Sequence, residues 1–390
     1  MSVLSSVILL MCVTQILGTT AGGIFSIAYA NAQQFQVLGS FEMRTYQVTD
    51  IEEAHPFGLY LSTRMVTCGL MIIGLAIYAI FSEGFSTTAV LFFLIGLMRL
   101  LDASEDVFHG LFQLRGRLDI GGRALFIRAF VTSVSFFAGL LVFRDLMLAT
   151  LLCLACSAIV IYFCDVKPAS GYASATPVFD LKRMGTLLLE CFPIFLGSFL
   201  AAYLTNAPKY GLKNYLPVDY QAIFSIIFMP AMAVNLLCGF VFRPLLTDFA
   251  LCLQGDKGKF NRLVHKAIAL SIVVLLIVLG CTWMFGASLL SLLYGVDIEP
   301  YKMELTVLVI GGLLYAISTI LYYALTTLRK QILVLLGYGI AAAAALLSSG
   351  YLISSFGFAG ATILYDASMA VLVLIFYGFY AIAMMKVKVA

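Results

Sequence analysis

The sequence predicts an all-α polytopic membrane protein with about 12 transmembrane helices in two six-helix lobes, related by a pseudo-two-fold axis along the membrane normal. Composition gives the first indication, since 62% of the 390 residues are hydrophobic and 11% are charged. Soluble domains carry about 25% charged residues. Uncharged apolar runs of roughly 20 residues, the length that spans a bilayer, also recur along the whole chain. The hydrophilic stretches between them are too short for a separate soluble domain.

The apolar runs, divided at polar breaks, give the order of the predicted helices. These helices cover 1–17, 21–41, 57–81, 87–112, 122–143, 146–164, 184–208, 217–242, 263–293, 304–327, 331–353 and 358–384. The first helix lacks the basic start of a signal peptide, so we expect it to remain in the protein. It is short for a hydrocarbon core of roughly 30 Å, which suggests that the native start lies upstream of Met1.

A polar segment at 166–182, which contains Pro168 and Gly171, is predicted to be a cytoplasmic linker. It separates an N-terminal lobe, 1–165, from a C-terminal lobe, 183–390. Because each lobe has an even number of helices, both lobes keep the same orientation in the membrane.

The lysines and arginines predict the orientation of the chain. With both termini in the cytoplasm, the basic residues of the loops collect on the inner side. The outward-facing exceptions are Arg144, Lys209, Lys213 and Lys302. We therefore expect a multi-pass protein of the cytoplasmic (inner) cell membrane. The basic stretch Leu251–Lys266 predicts contact with the anionic headgroups of membrane lipids.

Ionisable side chains stand inside the predicted spans of the N-terminal lobe, where a charge costs a few kcal/mol. In the fourth span, polar residues recur every three or four positions and so share one helix face. This stripe consists of Arg99, Asp102, Asp106, His109 and Gln113. Glu105 lies in the same span. Arg64 and Arg128, in the third and fifth spans, are predicted at a similar depth.

Two interpretations of these charges stay open. One is a structural ion-pair network whose lower end reaches the headgroups, where arginine side chains extend into water. The other is the lining or gate of a hydrated path. For Arg64, Arg99 and Asp102, which lie deepest, the second is favoured, because a membrane bundle can pack without ion pairs that stabilise it weakly.

Other polar or helix-bending residues lie in the remaining spans. They are Asn31, Gln34, Glu190, Pro193, Pro230 and Asp366. The two prolines predict bends, which membrane helices tolerate where a neighbour or a cavity satisfies the freed carbonyl group. The two amides offer either cavity contacts or hydrogen bonds between helices.

Sequence motifs of enzymes are missing. His55, His109 and His265 lack metal-ligand spacing, and the sequence has no HExxH, GxSxG or P-loop motif. Cys153 and Cys156 form a CxxC without a second pair, so we interpret the cysteines as buried apolar residues. We expect no cofactor, no metal and no nucleic-acid partner, and a transport function rather than catalysis.

Several segments resemble Wzx-type polysaccharide flippases of the multidrug/oligosaccharidyl-lipid/polysaccharide exporter superfamily. They are Gly22–Ile27, Arg44–Asp50, Phe57–Arg64, Asp102–Ile120 and Asn206–Tyr210. The resemblance implies two lobes around a central cavity and translocation of undecaprenyl-diphosphate-linked oligosaccharide for surface polysaccharide biosynthesis. It also implies basic residues at the positions of Arg64 and Lys209, and a polysaccharide polymerase among the partners.

Under this hypothesis the polar residues have two roles, and one lobe rocks against the other to give alternating access. The predicted cargo-binding residues are Arg44, Arg64, Arg99, Lys209 and Asn31. The predicted coupling or gate residues are Asp102, Glu105, Asp106, Arg128 and Glu190. Arginine suits a diphosphate because its planar fork makes paired charge-assisted hydrogen bonds. The alternatives are a cation-coupled multidrug exporter of the same fold and a membrane glycosyl polymerase, which would need a large extracytoplasmic loop.

Overall fold

The computed structural model describes residues 2–50, 54–174, 176–239 and 257–386, and these ranges are helical nearly throughout, without a strand. The helices, in chain order, are α1 (Ser2–Leu17), α2 (Thr19–Ser40), α3 (Met43–Gln47), α4 (Phe57–Glu83), α5 (Thr87–Leu114), α6 (Leu118–Phe143), α7 (Leu146–Ile161), α8 (Lys167–Ala169), α9 (Leu181–Tyr215), α10 (Asp219–Ile227), α11 (229–239), α12 (Lys257–Cys281), α13 (Ala287–Tyr294), α14 (Lys302–Thr327) and α15 (Gln331–Lys386). Two π-helical turns, Tyr162–Val166 and Thr282–Gly286, and one 3-10 turn, Glu299–Tyr301, complete the helical segments.

Within the described ranges, nine helical segments are long and apolar enough to cross a membrane. One of them, α15, contains two of the predicted spans, because Gly357 (φ 58°) interrupts it. The short apolar helix α1 and the more polar helix α2 account for the two spans that remain. The predicted class, an all-α polytopic membrane protein, is confirmed.

The ends of several helices follow directly from local sequence. The Ser86 side chain accepts a hydrogen bond from the backbone N–H of Ala89 (3.2 Å) and so begins α5. Asp145 does the same for Leu148 (2.8 Å) at the start of α7. Helix α4 ends at Gly84, whose φ of 66° suits a residue without a side chain.

The described residues form two compact units, Met1–Ala202 and Tyr203–Ala390. Helix α9 continues through the boundary between them. The lobes inferred from the sequence, 1–165 and 183–390 with a linker at 166–182, stay a prediction.

The sixth predicted span is longer than the sequence indicated. The predicted end at 164 is wrong, because α7 continues through the π-turn and α8 to Ala169. In a regular α-helix the ring of Pro168 would clash with the carbonyl group of Cys164, four residues earlier. The wider π-turn relieves this clash and lets the helix continue past the proline.

The two prolines behave differently. Near Pro230 the helix is interrupted for one residue, because α10 ends at Ile227, Phe228 forms a turn and the helix resumes at 229, while the predicted bend stays a prediction. Pro193 lies inside α9 without interrupting it.

The predicted end of the eighth span, 240–242, and the part of the basic stretch at 251–256 lie outside the described residues.

A sharp turn between α2 and α3 positions the first candidate residue. Phe41 and Glu42 both have positive φ, 47° and 53°, which is uncommon for residues other than glycine. The turn directs α3 against α5, where the Gln47 side chain donates to the carbonyl oxygen of Val107 (3.1 Å). Arg44, on α3, is thereby held beside the polar stripe of α5.

Candidate functional site

The polar stripe of α5 forms the centre of a chain of ion pairs. Arg99 pairs with Asp102 one turn along the same helix, and Asp102 also pairs with Arg128 of α6. Arg128 then reaches Glu105, with its Nε 2.6 Å from Oε2 and its Nη2 donating to Oε1 (2.7 Å). These alternating positive and negative side chains connect α5 to α6.

Asp106 is the centre of a second group of ion pairs. Its Oδ1 lies 3.3 Å from Nη1 of Arg44, and its Oδ2 lies 3.0 Å from Nη2 of Arg64. Arg64 also donates to the carbonyl oxygen of Gly39 (2.8 Å), which in turn accepts a hydrogen bond from the Thr67 hydroxyl. One carboxylate therefore links α3, α4 and α5.

Burial differs sharply among the arginines. The side chains of Arg64 and Arg99 are 2% and 5% exposed, whereas that of Arg44 is 36% exposed. Moving such charges out of water costs several kcal/mol per ion, and the attraction between paired charges compensates this desolvation only when the geometry is good. A cluster of this kind adds little to stability, but removal of one member leaves an unpaired buried charge.

The ion pairs surround a cavity of about 260 Å³ within the N-terminal unit. Its charged lining consists of Arg44, Arg99, Asp102, Glu105, Asp106, His109 and Arg128. A second cavity of about 360 Å³ shares Arg44 and Asp106 with the first and extends to Glu42 and Gln113. The predicted stripe therefore faces polar space inside a bundle of apolar helices.

His109 lies further along the stripe of α5 than the ion-paired acids and also lines the first cavity. Its Nε2 lies 2.9 Å from Oδ1 of Asp165, which belongs to the π-turn after α7. Both side chains are buried, at 4% and 0% exposure.

Three predicted site residues lie apart from this cluster. Asn31 is buried and donates to the carbonyl oxygen of Ile27 on its own helix (2.9 Å). Lys209 lies in the C-terminal unit, where its carbonyl oxygen accepts from the Gln221 side chain (2.7 Å). Glu190 is exposed on α9, and its hydrogen bond to Tyr46 raises the pKa of that phenol to about 12.

Several residues of the site were not identified from the sequence. The ring of Tyr29 lies 4.2 Å from the Arg99 guanidinium, a cation–π contact. Gln36 lines both cavities. Tyr29 and Gln36 lie seven positions apart on α2, so a helical-face analysis of that span would have grouped them. Asp165 gave no such signal, because it stood at the margin of the predicted linker.

One trio in the site brings together groups of the kind that bind metals. The nearest side-chain N and O atoms of Glu105, His109 and Asp165 all lie within 4.8 Å of one another. However, Arg128 occupies both carboxylate oxygens of Glu105. A cation would have to displace that guanidinium or share the carboxylate with it, which argues against metal occupancy.

Comparison with known proteins identifies the fold. No family profile and no curated protein sequence matches the chain. Among solved structures, it is similar to an inward-facing multidrug resistance MATE family transporter of the MOP superfamily, with a TM-score of 0.71, 11% identity and coverage of 100% of this chain and 96% of the other. It is also similar to the lipid II flippase MurJ in an inward closed conformation, with a TM-score of 0.72, 14% identity and coverage of 99% and 88%.

A third solved structure, a MOP superfamily transporter from Pyrococcus furiosus, has a TM-score of 0.60 at 13% identity and covers 98% of this chain and 92% of its own. That protein is described as having a binding pocket of reversed polarity, which suggests a different function. At these identities the likeness concerns the fold. The chain is a multi-pass α-helical membrane protein with the fold of MOP-superfamily transporters and flippases.

Proposed function

We propose that this protein is a flippase that moves undecaprenyl-diphosphate-linked oligosaccharides across the cytoplasmic membrane for surface polysaccharide biosynthesis. The observation that carries the proposal is the cavity of about 260 Å³ lined by Arg44, Arg99 and Arg128 within a bundle of apolar helices. A diphosphate cannot cross hydrocarbon without a hydrated path, and arginine binds phosphate oxygens in pairs. The proposal includes cytoplasmic termini and a polysaccharide polymerase as a partner.

Arg44 is the expected first contact for the headgroup. Its side chain is exposed by about a third, it lines both cavities, and its acceptors are Asp106 and Gln113. An incoming phosphate can compete with the Asp106 carboxylate for the Arg44 guanidinium, because both groups are anions whose oxygens accept charge-assisted hydrogen bonds. Arg64, which shares Asp106, then becomes the second donor.

Arg99 has unused hydrogen-bonding capacity. Its Nη1 binds Asp102, while Nε and Nη2 have no hydrogen-bond acceptor among the described residues. Since Arg99 lines the first cavity, we assign it to the deeper position on the cargo path. Asp102 and Glu105 would hold the arginines in place when the path is empty.

Substitution of Arg44 tests the proposal. We expect Arg44→Ala to reduce flipping of lipid-linked oligosaccharide by about 10-fold or more at equal protein level, because a charge-assisted hydrogen bond contributes about 1.5–3 kcal/mol. Arg44→Lys keeps the charge but loses the fork, so an intermediate rate is expected. The assay measures protection of the labelled cargo from an added glycosidase in vesicles that contain the full chain.

Arg117→Ala is the matched control. Arg117 is an exposed arginine that pairs with Asp119 (2.9 Å) and lines neither cavity, so its loss is expected to leave flipping unchanged. A wild-type rate in Arg44→Ala would contradict the assignment of the headgroup site.

A multidrug exporter is the second candidate, supported by the similarity to MATE family transporters. The equal presence of carboxylates and guanidinium groups around the cavity is compatible with cationic cargo as well. Deletion of the gene separates the two functions. If the protein is a flippase, its deletion leaves lipid-linked sugar on the inner leaflet. If it is a drug exporter, its deletion leaves surface polysaccharide intact and increases accumulation of a cationic dye.

A further inference from the structure

The second cavity, of about 360 Å³, differs from the first in the chemistry of its walls. Eight of the nine described residues that line it are polar or charged, and Val48 is the only apolar one among them. The first cavity also has apolar walls, which include Leu9, Met98 and Leu125. Most small-molecule sites are lined mainly by apolar and aromatic side chains. Polar walls inside a membrane protein therefore favour a strongly hydrophilic ligand.

Several side chains of the second cavity have unused hydrogen-bonding groups. The Gln36 amide and the Thr45 hydroxyl have no hydrogen-bond partner among the described residues. Gln113 accepts a hydrogen bond from Arg44 through Oε1 (3.0 Å), and its NH₂ group has no acceptor in the same part of the chain. Amides and hydroxyls donate and accept hydrogen bonds, as the hydroxyl groups of a sugar do. The walls of this cavity therefore match the chemistry of a sugar ring.

Glu42 is the acid of this cavity that pairs with no arginine, within the described residues. Asp102 and Asp106 are each held by two guanidinium groups. The charged neighbours of Glu42 are Asp106 and Arg64, and these two already pair with each other. Glu42 also interacts with the Ser198 hydroxyl. An ionised carboxylate has about four acceptor positions on its two oxygens, so Glu42 can still bind neighbouring hydroxyl groups of one sugar.

Local sequence explains why these groups share one cavity. Gln36 and Ser40 lie one turn apart on α2 and therefore lie on the same face. Glu42, with a φ of 53°, belongs to the sharp turn that follows. Arg44 and Thr45 lie in the first turn of α3, directly after it. One irregular turn thus brings the end of α2 and the start of α3 around the same polar space.

The position of Arg44 relates this cavity to the proposed headgroup site. Arg44 lines both cavities, so a phosphate group that it binds lies at the edge of the second one. In a lipid-linked oligosaccharide the diphosphate is bonded directly to the first sugar. A diphosphate on Arg44 therefore requires a neighbouring space for that sugar, and the second cavity is polar enough to hold it.

We infer that the second cavity binds the first sugar of the cargo, and that Glu42 makes the site selective for sugars without an acidic group. This inference rests on the flippase function proposed above. Once the diphosphate occupies Arg44, the described lining offers no further cation for a sugar carboxylate. Glu42 and the phosphates repel such a group, whereas a hexose or an N-acetylhexosamine is not repelled.

Binding of soluble headgroup fragments tests the sugar site without transport. The purified full chain is titrated by calorimetry with N-acetylglucosamine 1-phosphate, glucuronic acid 1-phosphate and inorganic phosphate. The titrations are carried out at pH 8, because burial raises the pKa of Glu42 above its usual value and the carboxyl group must be ionised. We expect the neutral sugar phosphate to bind about 10-fold tighter than inorganic phosphate. The acidic sugar phosphate is expected to bind no tighter than inorganic phosphate.

Glu42→Gln separates recognition from folding, because its two expected effects have opposite signs. It weakens binding of the neutral sugar phosphate severalfold, since charge-assisted hydrogen bonds are lost. It strengthens binding of glucuronic acid 1-phosphate, since a repulsive charge is removed. A misfolded protein would lose affinity for both. Asp119→Asn is the matched control, because Asp119 is an exposed acid that lines neither cavity, and both affinities are expected to stay unchanged.

Three results would overturn the sugar site. They are the absence of sugar phosphate binding, equal wild-type affinities for the neutral sugar phosphate and inorganic phosphate, and parallel changes of both sugar phosphates in Glu42→Gln. An acidic sugar phosphate that gains no affinity from Glu42→Gln would overturn the selectivity.

A flipping assay tests the function separately. The full chain is reconstituted in vesicles with undecaprenyl-diphosphate-linked N-acetylglucosamine as the probe. Binding of the neutral sugar phosphate without any flipping would overturn the flippase and support the sugar site. Flipping at a rate that Glu42→Gln does not change would support the flippase and overturn the sugar site.

Discussion

Asp102→Asn is expected to destabilise the protein by about 3–5 kcal/mol, the range measured when one partner of a buried ion pair is removed. The Asp102 side chain is 13% exposed and bridges two guanidinium groups, those of Arg99 on α5 and Arg128 on α6. The amide cannot compensate two cations in an apolar interior, and Arg99 would have no remaining carboxylate partner. The loss should appear as a large drop in the melting temperature of the detergent-solubilised protein.

Two comparisons make this result specific. Asp119→Asn removes an equivalent acid from an exposed pair with Arg117, whose side chains are 46% and 44% exposed, and should change stability by less than about 1 kcal/mol. The double variant Arg99→Gln with Asp102→Asn restores the charge balance, because Arg128 keeps Glu105. We expect it to recover a large part of the lost stability. Equal melting temperatures for Asp102→Asn and Asp119→Asn would show that the buried pair is not structurally important.

Gly312→Ala is expected to cost about 1–3 kcal/mol or more, through overpacking of two helices in the C-terminal unit. A Cβ atom at Gly312 would lie 2.5 Å from the carbonyl oxygen and 2.8 Å from the Cα of Ala231. Both neighbours are backbone atoms, so α14 and α11 would have to separate. Close approach at small residues is a main source of packing energy between membrane helices.

Gly339→Ala is the matched control, because a Cβ atom at Gly339 on α15 would meet nothing within 4 Å. Both changes replace a glycine inside a helix, where alanine is intrinsically better by about 0.5–1 kcal/mol. We therefore expect Gly339→Ala to be neutral or slightly stabilising, with Gly312→Ala clearly destabilising. Thermal melting of the two purified variants by size-exclusion chromatography measures the difference. If both variants melted together, the contact between α11 and α14 would tolerate a methyl group.

The fold class could be predicted because bilayer thickness sets the length of each apolar run. The stripe on α5 could be predicted because its spacing matches the helical period, and the structure places Arg99, Asp102 and His109 around one cavity. Their roles in transport stay predictions. Both features, the length of an apolar run and the spacing of polar residues, are properties of a single helix, so they can be read from the sequence.

Contacts that depend on irregular backbone could not be predicted. Arg44 reaches Asp106 because Phe41 and Glu42 adopt positive φ, and nothing in those two residue types signals such a turn. Asp165 reaches His109 through a π-turn that changes the phase of the helix. The proline that causes the irregularity was visible, but its residue type alone predicts a helix end rather than a π-turn.

The single break at Gly357 has a practical consequence for work on this protein. The chain folds back at this glycine, because a Cβ atom at Gly360 would lie 2.1 Å from the carbonyl oxygen of Leu352. Without the break, a straight helix of the 56 residues in α15 would extend about 84 Å. The hairpin end therefore presents almost no loop, only the exposed Ser354, Ser355 and Phe356. Epitope tags, protease sites and antibody fragments have little to attach to here, and probes of topology belong at other connections.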